Sequence, residues 1–467
     1  MDLTEPTPTA VAAGLDALRE SITGTLFEPG GPGYEEARRI WNGMHDLRPR
    51  AIARAGSAAD IAPVLAAART TGLQLAVRGG GHSVAGHGSV EGGLVLDLGG
   101  LRSVTVDPQA QLVTAEPGAV LADIDQATAA HGLAVPMGVI SQTGVAGLTL
   151  GGGVGWLTRS NGLTLDNLEA ADVVTAAGEQ LRASPEENAD LFWGLRGGGG
   201  NFGVVSAFTF RARKLPGPVL GANLFYRPEH WKEGLQGFAA WAADLPDDMN
   251  PIVSFLVFPP DFGMGAAPWM IIGCAWANAD HGPGLELIDR LRDAAPPDQD
   301  EVGPVAWPEW QSAMDSLFPN GSRGYWKNVS FSRLDEEVID VVTGFASEVA
   351  WQGTGIDIHL LGGAFARVPE DATAYPNRSA RYLLNIYGFW ASPDDDAHLT
   401  EFARAAHGRM QPFAEQGEYL NFLGSEERPD ASAARRTFGS AKYGRLLGLK
   451  QRYDPDNLFS RNHNIVP

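Results

Sequence analysis

Three consecutive glycines run directly into a histidine in the stretch VRGGGHSVAGHG, residues 77–88. Successive glycines allow the backbone to approach a bound group closely, or to adopt positive φ angles that larger residues avoid. The preceding residues, LQLAVR, have the apolar character of a short strand. His82 therefore follows a strand at a place where a ligand would contact the backbone, and its imidazole could bond to that ligand or cap the turn.

Two further glycine clusters, in residues 144–155 and 194–203, extend this pattern. The third glycine cluster along the chain, residues 194–203, contains G-x-G-x-x-G. The next residues, VVSAFTF, predict a strand, whereas a Rossmann dinucleotide loop must open a helix. The sequence also lacks the G-x-x-x-x-G-K-[ST] loop that cradles nucleotide triphosphates. Several glycine loops that each follow a strand can line one long cleft with backbone N–H groups. Such a cleft suits an extended, anionic, planar cofactor.

The elements around these loops predict an α+β protein. At 467 residues the chain exceeds the size at which a single hydrophobic core stops growing, roughly 250 to 300 residues. Short strands, helices and glycine loops alternate until the break RKLPGPV, after which the segments are longer and richer in Trp and Phe. We predict an N-terminal domain in residues 1–215 with its core at about 46–215, a second domain in 216–425, and a C-terminal segment in 426–467.

The composition limits the possible partners. A formal net charge of −21 disfavours nucleic acid and anionic membrane surfaces. The sequence starts with neither a basic n-region nor an apolar h-region, and it lacks any apolar run of about 18 residues, so a soluble cytoplasmic protein is expected. Cys274 is the only cysteine, which excludes an intrachain disulfide. His87, His131 and His463 lack the spacing of metal ligands, so no metal is expected.

A series of motifs runs in order along nearly the whole chain. They are WNGMHDLRPRAIARAGSAADI, VRGGGHSVAGHG, GVISQTGVAGLTLGGGVGWLTRSNGLTLDNL, DLFWGLRGGGGNFGVV, LGGAFARVPEDATAYPNRSARYLLN, YLNF and YDPDNLFSRNHNIVP. This series resembles the FAD-linked oxidases of the vanillyl-alcohol-oxidase type, and within them the bacterial berberine-bridge-enzyme-like branch. The resemblance implies FAD as cofactor, a two-lobed FAD-binding domain of the PCMH type, and an α+β substrate domain whose antiparallel sheet covers the flavin. It also implies that the C-terminal segment returns to the FAD-binding domain.

The resemblance gives His82 a specific role. In this family the histidine after the glycine run is bonded to the 8α-methyl carbon of the flavin, and the tether raises the redox potential. The alternative is a histidine that only donates a hydrogen bond to the pyrophosphate or caps the turn. Some relatives attach the flavin a second time, through a cysteine shortly before GLTLGGG. Ile140 stands at the matching place and Cys274 is far away in the sequence, so a single attachment is expected.

The resemblance also assigns non-covalent FAD contacts to four segments. The loop around His82 should wrap the pyrophosphate, and the SQTGVAGLTLGGG stretch should pass the flavin ring and the ribityl chain. A residue near the third glycine cluster should meet the adenosine, and the C-terminal tail should return to the isoalloxazine. The residues assigned are Arg78, Gly79, Gly80, Gly81, Ser83, Gly86, His87, Gly118, Ser141, Thr143, Gly144, Gly147, Gly153, Val205, Asn462 and Asn464.

Candidate catalytic residues lie on two predicted strands of the second domain. Period-2 alternation in GIDIHLLGG places Asp357 and His359 on one face, and the resemblance makes Asp357 the charged residue on the substrate side. We expect His359 to be its imidazole partner. In YLLNIYGFW, Asn385 and Tyr387 share a face, and packing or substrate stacking is favoured over base catalysis for the tyrosine. A structural, salt-bridged aspartate is the alternative reading of Asp357.

Thr143 is the remaining catalytic candidate. It lies in SQTGVAG, the loop that the resemblance places near the hydride-accepting nitrogen of the flavin. A threonine there resembles bacterial relatives whose flavin becomes oxygenated at that nitrogen. A hydroxyl that only bonds a loop carbonyl is the favoured alternative.

The resemblance implies an enzyme, an FAD-dependent oxidase that takes a hydride from an alcohol, hemiacetal or amine carbon. Its partners would be a small-molecule substrate and dioxygen, which is reduced to hydrogen peroxide. Two alternatives stay open: a flavin-dependent oxygenase or oxidative cyclase of secondary metabolism, and a non-catalytic flavoprotein. A monomer or a homodimer is expected.

Overall fold

The structure is a computed structural model that describes residues 7–215, 217–351, 353–425 and 431–467. Helices are combined with mainly antiparallel sheets, which confirms the predicted α+β class. Within these ranges, no helix is long and apolar enough to cross a membrane.

The first sheet positions the glycine loop that contains His82. The strand before this loop lies at one edge of the sheet and pairs in parallel with its neighbour. The sheet is buried because two helices pack their apolar faces against it. These helices are Pro8–Ser21 and Ile61–Thr71. The strand order is Thr25–Phe27, Ala51–Arg54, Leu94–Asp97 and Leu75–Arg78.

The second sheet is five-stranded and antiparallel, and it positions the third glycine cluster. Its central strand begins directly after that cluster. The stretch ADVVTAAGEQLRAS predicts a hairpin around AAGE, and the pairing of the two flanking strands in this sheet confirms it. The strand order is Val104–Asp107, Leu112–Ala115, Val204–Arg211, Leu168–Val174 and Gln180–Ala183, and a short pair, Leu133–Ala134 with Arg213–Lys214, lies apart from it.

The third sheet has seven antiparallel strands. Its strand Gly355–Leu360 is buried on both sides, because one face packs on the main core of the second part of the chain and the other faces the first two sheets. Ile356, Ile358 and Leu360 belong to that core, whereas Asp357 points to the opposite side, as the predicted alternation requires. The strand order is Gln299–Val305, Val219–Tyr226, Trp269–Trp276, Met249–Leu256, Gly355–Leu360, Tyr382–Trp390 and Arg323–Phe331.

Helices cover the outer faces of the sheets and connect their strands. The longest contains a break at Gly439, whose φ of 70° and ψ of 158° are not helical. The α-helices are Pro8–Ser21, Tyr34–Ala37, Ile61–Thr71, Leu121–Ala129, Val145–Gly151, Thr158–Asn161, Ala189–Leu195, Trp231–Trp241, Gly282–Ala294, Trp307–Ser312, Glu336–Ala346, Ala364–Arg367, Asp396–Met410 and Ala431–Tyr453.

Residues 57–71 begin with a Ser-x-x-Asp capping pattern and place apolar residues at helical spacing, which predicts a helix over this range. The structure differs from this prediction in the first turn. The α-helix covers Ile61–Thr71 and follows a short 3-10 turn. The carboxylate of Asp60, which the sequence places in a capping pattern, accepts hydrogen bonds from the backbone N–H groups of Thr23 and Gly24, at 2.9 and 3.0 Å. Asp60 therefore ties the N-terminal segment to this helix, and its side chain makes no capping hydrogen bond at the helix start.

The C-terminal segment packs on the first part of the chain. Side chains of Ala431–Tyr453 join the same apolar cluster as the second sheet. The fully buried Lys450 bonds to Asp454 at 2.6 Å and donates a further bond to the carbonyl oxygen of Asn201 at 3.1 Å, so it fixes the tail against the third glycine cluster. The predicted domain boundaries fall beside Pro216 and Glu426, which lie outside the described residues, and they stay predictions.

A segment of the second part of the chain reaches over to the first part. We call residues 307–318 the clasp segment. Its Trp307 Nε1 donates to Asp125 at 2.8 Å, and the carboxylate of Asp315 accepts from the backbone N–H and the hydroxyl of Ser141, at 2.8 and 2.5 Å. Gln311 also donates to the carbonyl oxygen of Gly138. The clasp segment therefore holds the 138–141 loop against the seven-stranded sheet.

The buried contact of Asp125 leads to a prediction about stability. Burial raises the pKa of this carboxyl to about 7, opposed by the Trp307 hydrogen bond. The folded state therefore favours the protonated form of Asp125. The contribution of this protonated carboxyl to the free energy of unfolding is complete below the ordinary aspartate pKa of about 4, and it is lost as pH rises through about 7. Asp125→Asn keeps an acceptor for Trp307 and removes this loss. At pH 8 we expect the free energy of unfolding of the variant to exceed that of the parent by on the order of 1–3 kcal/mol. At pH 4 we expect no such excess.

Urea unfolding followed by fluorescence at pH 4, 6 and 8 measures this difference. Asp172→Asn is the control, because Asp172 is half exposed and pairs with Arg182 on the surface. A variant-minus-parent difference for Asp125→Asn that does not change between pH 4 and pH 8 would contradict the prediction.

Candidate active site

One long cavity lies where the three sheets meet. Its volume is about 280 Å³. All three glycine clusters contribute to its wall, as do the C-terminal residues 461–463. Asp357 and Asn385, from the seven-stranded sheet, lie on the same wall. The cavity thus joins the predicted cofactor loops to the predicted catalytic strands.

Glycines give this wall its shape. A Cβ atom on Gly80 would lie 2.5 Å from the Cα atom of Gly144, and one on Gly144 would lie 2.5 Å from the nitrogen of Gly80, so the two loops meet only because both residues lack a side chain. At Gly147 and Gly200, by contrast, a Cβ atom would meet nothing within 4 Å. These two positions leave their backbone open to the cavity, as close contact with an extended cofactor requires.

His82 lies on the cavity wall as a neutral imidazole. Its ring stacks on Trp41 with centroids 4.3 Å apart and planes 20° from parallel. Burial lowers its pKa to about 4, and its Nε2 atom is buried without a hydrogen-bond partner among the described residues. A neutral imidazole keeps one nitrogen lone pair, which is the form that can bond to carbon. The Trp41 contact fixes the plane of the ring. Trp41 opens the first quoted motif, but nothing in its pattern or spacing assigns it to this site.

His87 and His463 form a second pair of rings on the same wall. Their centroids are 4.8 Å apart in an edge-to-face arrangement, and His463 Nε2 lies 3.0 Å from the carbonyl oxygen of Leu420. Burial lowers the pKa of His463 to about 4, and burial together with His463 and Arg461 lowers that of His87. Arg461 donates to the carbonyl oxygen of Ser89 at 3.0 Å. Within the described ranges, no group of three or more His, Cys, Asp or Glu side chains could hold a metal ion.

Most of the residues predicted to contact FAD line the cavity. Arg78 does so with its backbone side, because its guanidinium bonds to Asp97 at 2.9 Å and to the carbonyl oxygen of Ala37 at 2.7 Å. The predicted residues on the wall are Arg78, Gly79, Gly80, Gly81, His82, Ser83, His87, Thr143, Gly144, Gly147, Val205 and Asn462.

Five predicted contact residues do not line the cavity, for local reasons. The backbone N–H and hydroxyl of Ser141 are bonded to the clasp segment. Gly118 packs against the carbonyl oxygen of Leu98, where a Cβ atom would come within 2.1 Å. Two more are glycines that pack on side chains: Gly86 packs on His45, and Gly153 packs on Thr164. The fifth is Asn464, whose Oδ1 is buried without a described partner.

Asp357 is a buried carboxyl on the cavity wall, and no ion-pair partner for it occurs among the described residues. Its Oδ1 accepts hydrogen bonds from the hydroxyls of Ser254 at 2.6 Å and Tyr387 at 3.1 Å. Burial raises its pKa to about 6, and the two hydrogen bonds oppose this rise. The salt-bridged alternative is therefore not what the structure shows. A carboxyl with this pKa ionises close to neutral pH, which suits a general base.

His359 does not form the predicted pair with Asp357. Both of its ring nitrogens are buried without a hydrogen-bond partner in the described part of the chain, and burial lowers its pKa to about 4. It lines a separate small cavity beside Arg159 and Asn250. Residues i and i+2 of a strand are about 6.6 Å apart, too far for a direct bond between short side chains that point the same way. Tyr387, from the neighbouring strand, takes the position expected for His359.

Tyr387 and Asn385 adjoin Asp357 across the strand pairing. Burial raises the pKa of Tyr387 well above its usual value, and Asp357 raises it further, so its hydroxyl acts as a hydrogen-bond donor to the carboxylate. Its ring packs on Phe318 with centroids 5.6 Å apart. Asn385 lies directly opposite Asp357 in the register, and its Oδ1 is buried without a described partner.

Thr143 and Ile140 lie together on the loop that the clasp segment holds. Both line the cavity, and the N–H of Thr143 donates to the carbonyl oxygen of Ile140 at 3.1 Å. Ile140 thus places an aliphatic side chain on the wall, at the place that the resemblance matches to a second flavin attachment. Cys274, the only cysteine, is fully buried in the core on the opposite face of the seven-stranded sheet.

The fold and the cavity are those expected of an FAD-linked oxidoreductase, and comparisons with known proteins show this class. The sequence matches the FAD binding domain family over residues 49–184 and the berberine and berberine-like family over residues 418–466. It is 31% identical to the FAD-linked oxidoreductase pgmH of Aspergillus terreus, over 97% of this chain and 96% of that protein.

Two solved structures are similar over nearly their whole length. The first is 6-hydroxy-D-nicotine oxidase from Arthrobacter nicotinovorans, with a TM-score of 0.85 and 26% identity over 96% of this chain and 98% of that one. The second is xylooligosaccharide oxidase from Myceliophthora thermophila, with a TM-score of 0.83 and 25% identity over 98% of this chain and 99% of that one. The chain belongs to the berberine-bridge-enzyme-like FAD-linked oxidoreductases of the vanillyl-alcohol-oxidase family, and it is an enzyme that uses FAD.

Proposed function

We propose that this enzyme is an oxidase that carries FAD bonded to His82. It removes a hydride from an alcohol, hemiacetal or amine carbon of a small molecule and transfers the electrons to dioxygen, which gives hydrogen peroxide. The observation that carries the proposal is a single cavity whose wall contains both a neutral imidazole beside the glycine loops and a carboxyl with a pKa of about 6.

The residues around Asp357 support its role as the proton acceptor. When bound, FAD supplies the hydride acceptor and the route for electrons to dioxygen. Both described hydrogen bonds to Asp357 end on Oδ1, and no described residue donates to Oδ2. Oδ2 is therefore the atom that takes the proton from the substrate O–H or N–H. Loss of this proton makes the loss of hydride from the adjacent carbon easier.

Ser254 and Tyr387 position this carboxylate. They lie on the two strands that flank Gly355–Leu360, so they hold Oδ1 from both sides. A Cβ atom at Gly355 would lie 2.9 Å from the Tyr387 hydroxyl, so the glycine leaves room for that hydroxyl to reach Asp357. Two donors on one oxygen fix the plane of the carboxylate and direct the other oxygen to the cavity.

Three features support a single covalent attachment. His82 is neutral, stacked and on the cavity wall. Ile140 occupies the position of the second link, and its side chain cannot form one. Cys274 lies in a core on the far side of a sheet, where burial raises its thiol pKa to about 12.

An anaerobic titration tests the proposed activity. The purified holoenzyme is mixed with alcohols, amines and sugars while its visible spectrum is recorded, and air is then admitted. Bleaching followed by reoxidation with about one equivalent of hydrogen peroxide supports an oxidase. Incorporation of labelled oxygen into the product would support an oxygenase of secondary metabolism instead. If none of the compounds bleached the flavin, a non-catalytic flavoprotein would be favoured.

A further inference from the structure

We infer that Trp41 is a positioning residue for the covalent attachment of FAD, because it holds the imidazole of His82 in one plane before the bond forms. This inference rests on the proposed bond between His82 and FAD, and it adds the group that prepares the imidazole for that bond. Two observations carry it. They are the stacking of the two rings, and the contacts that hold Trp41 from both parts of the chain.

The His82 ring is oriented by packing. Its Nε2 atom is buried without a hydrogen-bond partner among the described residues, and the contact of the other ring nitrogen is with the backbone of His82 itself. Rotation of an imidazole about its Cβ–Cγ bond has broad minima, so such a ring can turn unless its neighbours restrict it. The Trp41 indole lies 4.3 Å from it between centroids, with planes 20° from parallel, and this contact restricts the ring.

Hydrogen bonds fix Trp41 itself. Its backbone N–H donates to the carbonyl oxygen of Gly81 at 3.0 Å, next to His82 in the glycine loop. Its indole Nε1 donates to the carbonyl oxygen of Phe318 in the clasp segment at 3.2 Å, and its own carbonyl oxygen accepts from the N–H of Gly321 at 2.9 Å. Trp41 is therefore tied both to the loop that carries His82 and to the second part of the chain.

Aromatic rings of the seven-stranded sheet pack against Trp41. The Phe389 ring has its centroid 5.4 Å away with the planes at 89°, and the Trp326 ring is 6.1 Å away with the planes at 72°. These two residues lie on adjacent strands of that sheet. Edge-to-face contacts hold an indole because the positive edge of one ring meets the negative face of the other. The sheet therefore acts on His82 through Trp41, and the imidazole is fully held only when both parts of the chain are assembled.

The orientation of the imidazole matters for the bond that it forms. Attachment joins a ring nitrogen of His82 to the 8α-methyl carbon of FAD: one C–H bond of the methyl group breaks, the imidazole gives up its N–H proton, and a C–N bond forms. Two electrons and two protons remain on the flavin, and dioxygen, the electron acceptor in the proposed function, takes them up to give hydrogen peroxide. The lone pair of the attacking nitrogen lies in the plane of the imidazole. Restricting the ring to one plane therefore removes part of the entropy cost of the step.

The test measures the rate of attachment and not turnover. Full-length protein is produced in riboflavin-starved cells and mixed with FAD in air, and acid-stable flavin is followed with time at several FAD concentrations. For Trp41→Leu we expect the rate at saturating FAD to fall by about 10- to 100-fold, because the imidazole is no longer held. The FAD concentration that gives half this rate should change a few-fold at most, since the glycine loops bind FAD. A purely structural role would instead raise that concentration and leave the saturated rate unchanged.

Further variants separate the stacked ring from its supports. Trp41→Phe keeps a ring and removes the bond to Phe318, so the saturated rate should fall only a few-fold. Phe389→Leu removes a ring that packs on Trp41 and should also slow attachment, but it should add nothing to Trp41→Leu, because both act through one contact. Trp351→Leu is the control and should match the parent. Trp351 also packs on a histidine, His398, at 4.8 Å between centroids, but neither residue lines the cavity.

The parent protein separates this inference from the proposed function. If it acquires no acid-stable flavin, the proposed bond to His82 is wrong, and the role of Trp41 with it. If attachment occurs and Trp41→Leu reaches the saturated rate of the parent, the bond stands and the role of Trp41 is overturned. If Trp41→Leu lacks the circular dichroism spectrum of the parent, Trp41→Phe and Phe389→Leu decide instead, and unchanged saturated rates in both would overturn the inference.

Discussion

Asp357→Asn should slow anaerobic flavin reduction by a factor on the order of 100 to 10,000, the range for loss of a positioned general base. The amide has the shape of the carboxyl but cannot accept the substrate proton. Ser254 and Tyr387 can still donate to its oxygen, so the fold and the FAD content should stay as in the parent. Stopped-flow measurement of the reduction rate, with a compound that reduces the parent enzyme, tests this.

The pH dependence of the same reaction identifies the group that acts. Because burial raises the pKa of Asp357 to about 6, the reduction rate divided by Kd in the parent should rise as pH increases through about 6 and then become constant. The variant should lack this step. Tyr387→Phe removes a hydrogen bond that lowers this pKa, so the step should move to higher pH.

His359→Ala is the matched control for the neighbouring position. Because His359 lines a different cavity, its loss should leave the pH step in place and cost much less in rate than the loss of Asp357. Flavin reduction in Asp357→Asn at the rate of the parent would mean that the carboxyl is structural. The proton acceptor would then have to be another group or an ordered water molecule.

His82→Ala should abolish acid-stable flavin. After acid precipitation, the parent protein should stay yellow and the variant should release all its FAD into the supernatant. The glycine loops should still hold FAD without the covalent bond, since their shape does not depend on His82, but turnover should fall as the tether no longer raises the redox potential. Absorbance of pellet and supernatant, and the mass of the peptide that contains His82, measure the result.

His463→Ala provides the comparison for this experiment. His463 is also neutral and also lines the cavity, yet it should leave the acid-stable flavin in place. Yellow, acid-precipitated His82→Ala protein would contradict the assignment. A flavin mass on any peptide other than that of His82 would do the same.

The sequence predicted the parts of the site that depend on local pattern. A glycine run after a strand predicted that the loop of His82 approaches another group closely. The structure shows such an approach, because the backbones of Gly80 and Gly144 meet where no side chain would fit. Period-2 alternation placed Asp357 on the face opposite Ile356 and Ile358. These patterns are decided by neighbours in the sequence, so they can be read from it.

Tertiary contacts decided what the sequence did not reveal. His359 shares a face with Asp357 but lies beyond hydrogen-bond reach, and Tyr387 is the partner because another strand brings it there. Ser141 points to the clasp segment, 174 residues away, and not to the cavity. The stacking of Trp41 on His82 likewise depends on how distant segments fold together, and neither pattern nor spacing indicates it.

The buried contact between Lys450 and Asn201 makes closure of the cavity a long-range event. These residues are 249 positions apart, and residues 461–463, which form part of the same wall, lie further along the chain still. Contacts between segments this distant form only once both segments have been brought together, and such pairings are slow to form compared with local ones. The glycine loops can therefore take their local shape before the cavity around them is enclosed.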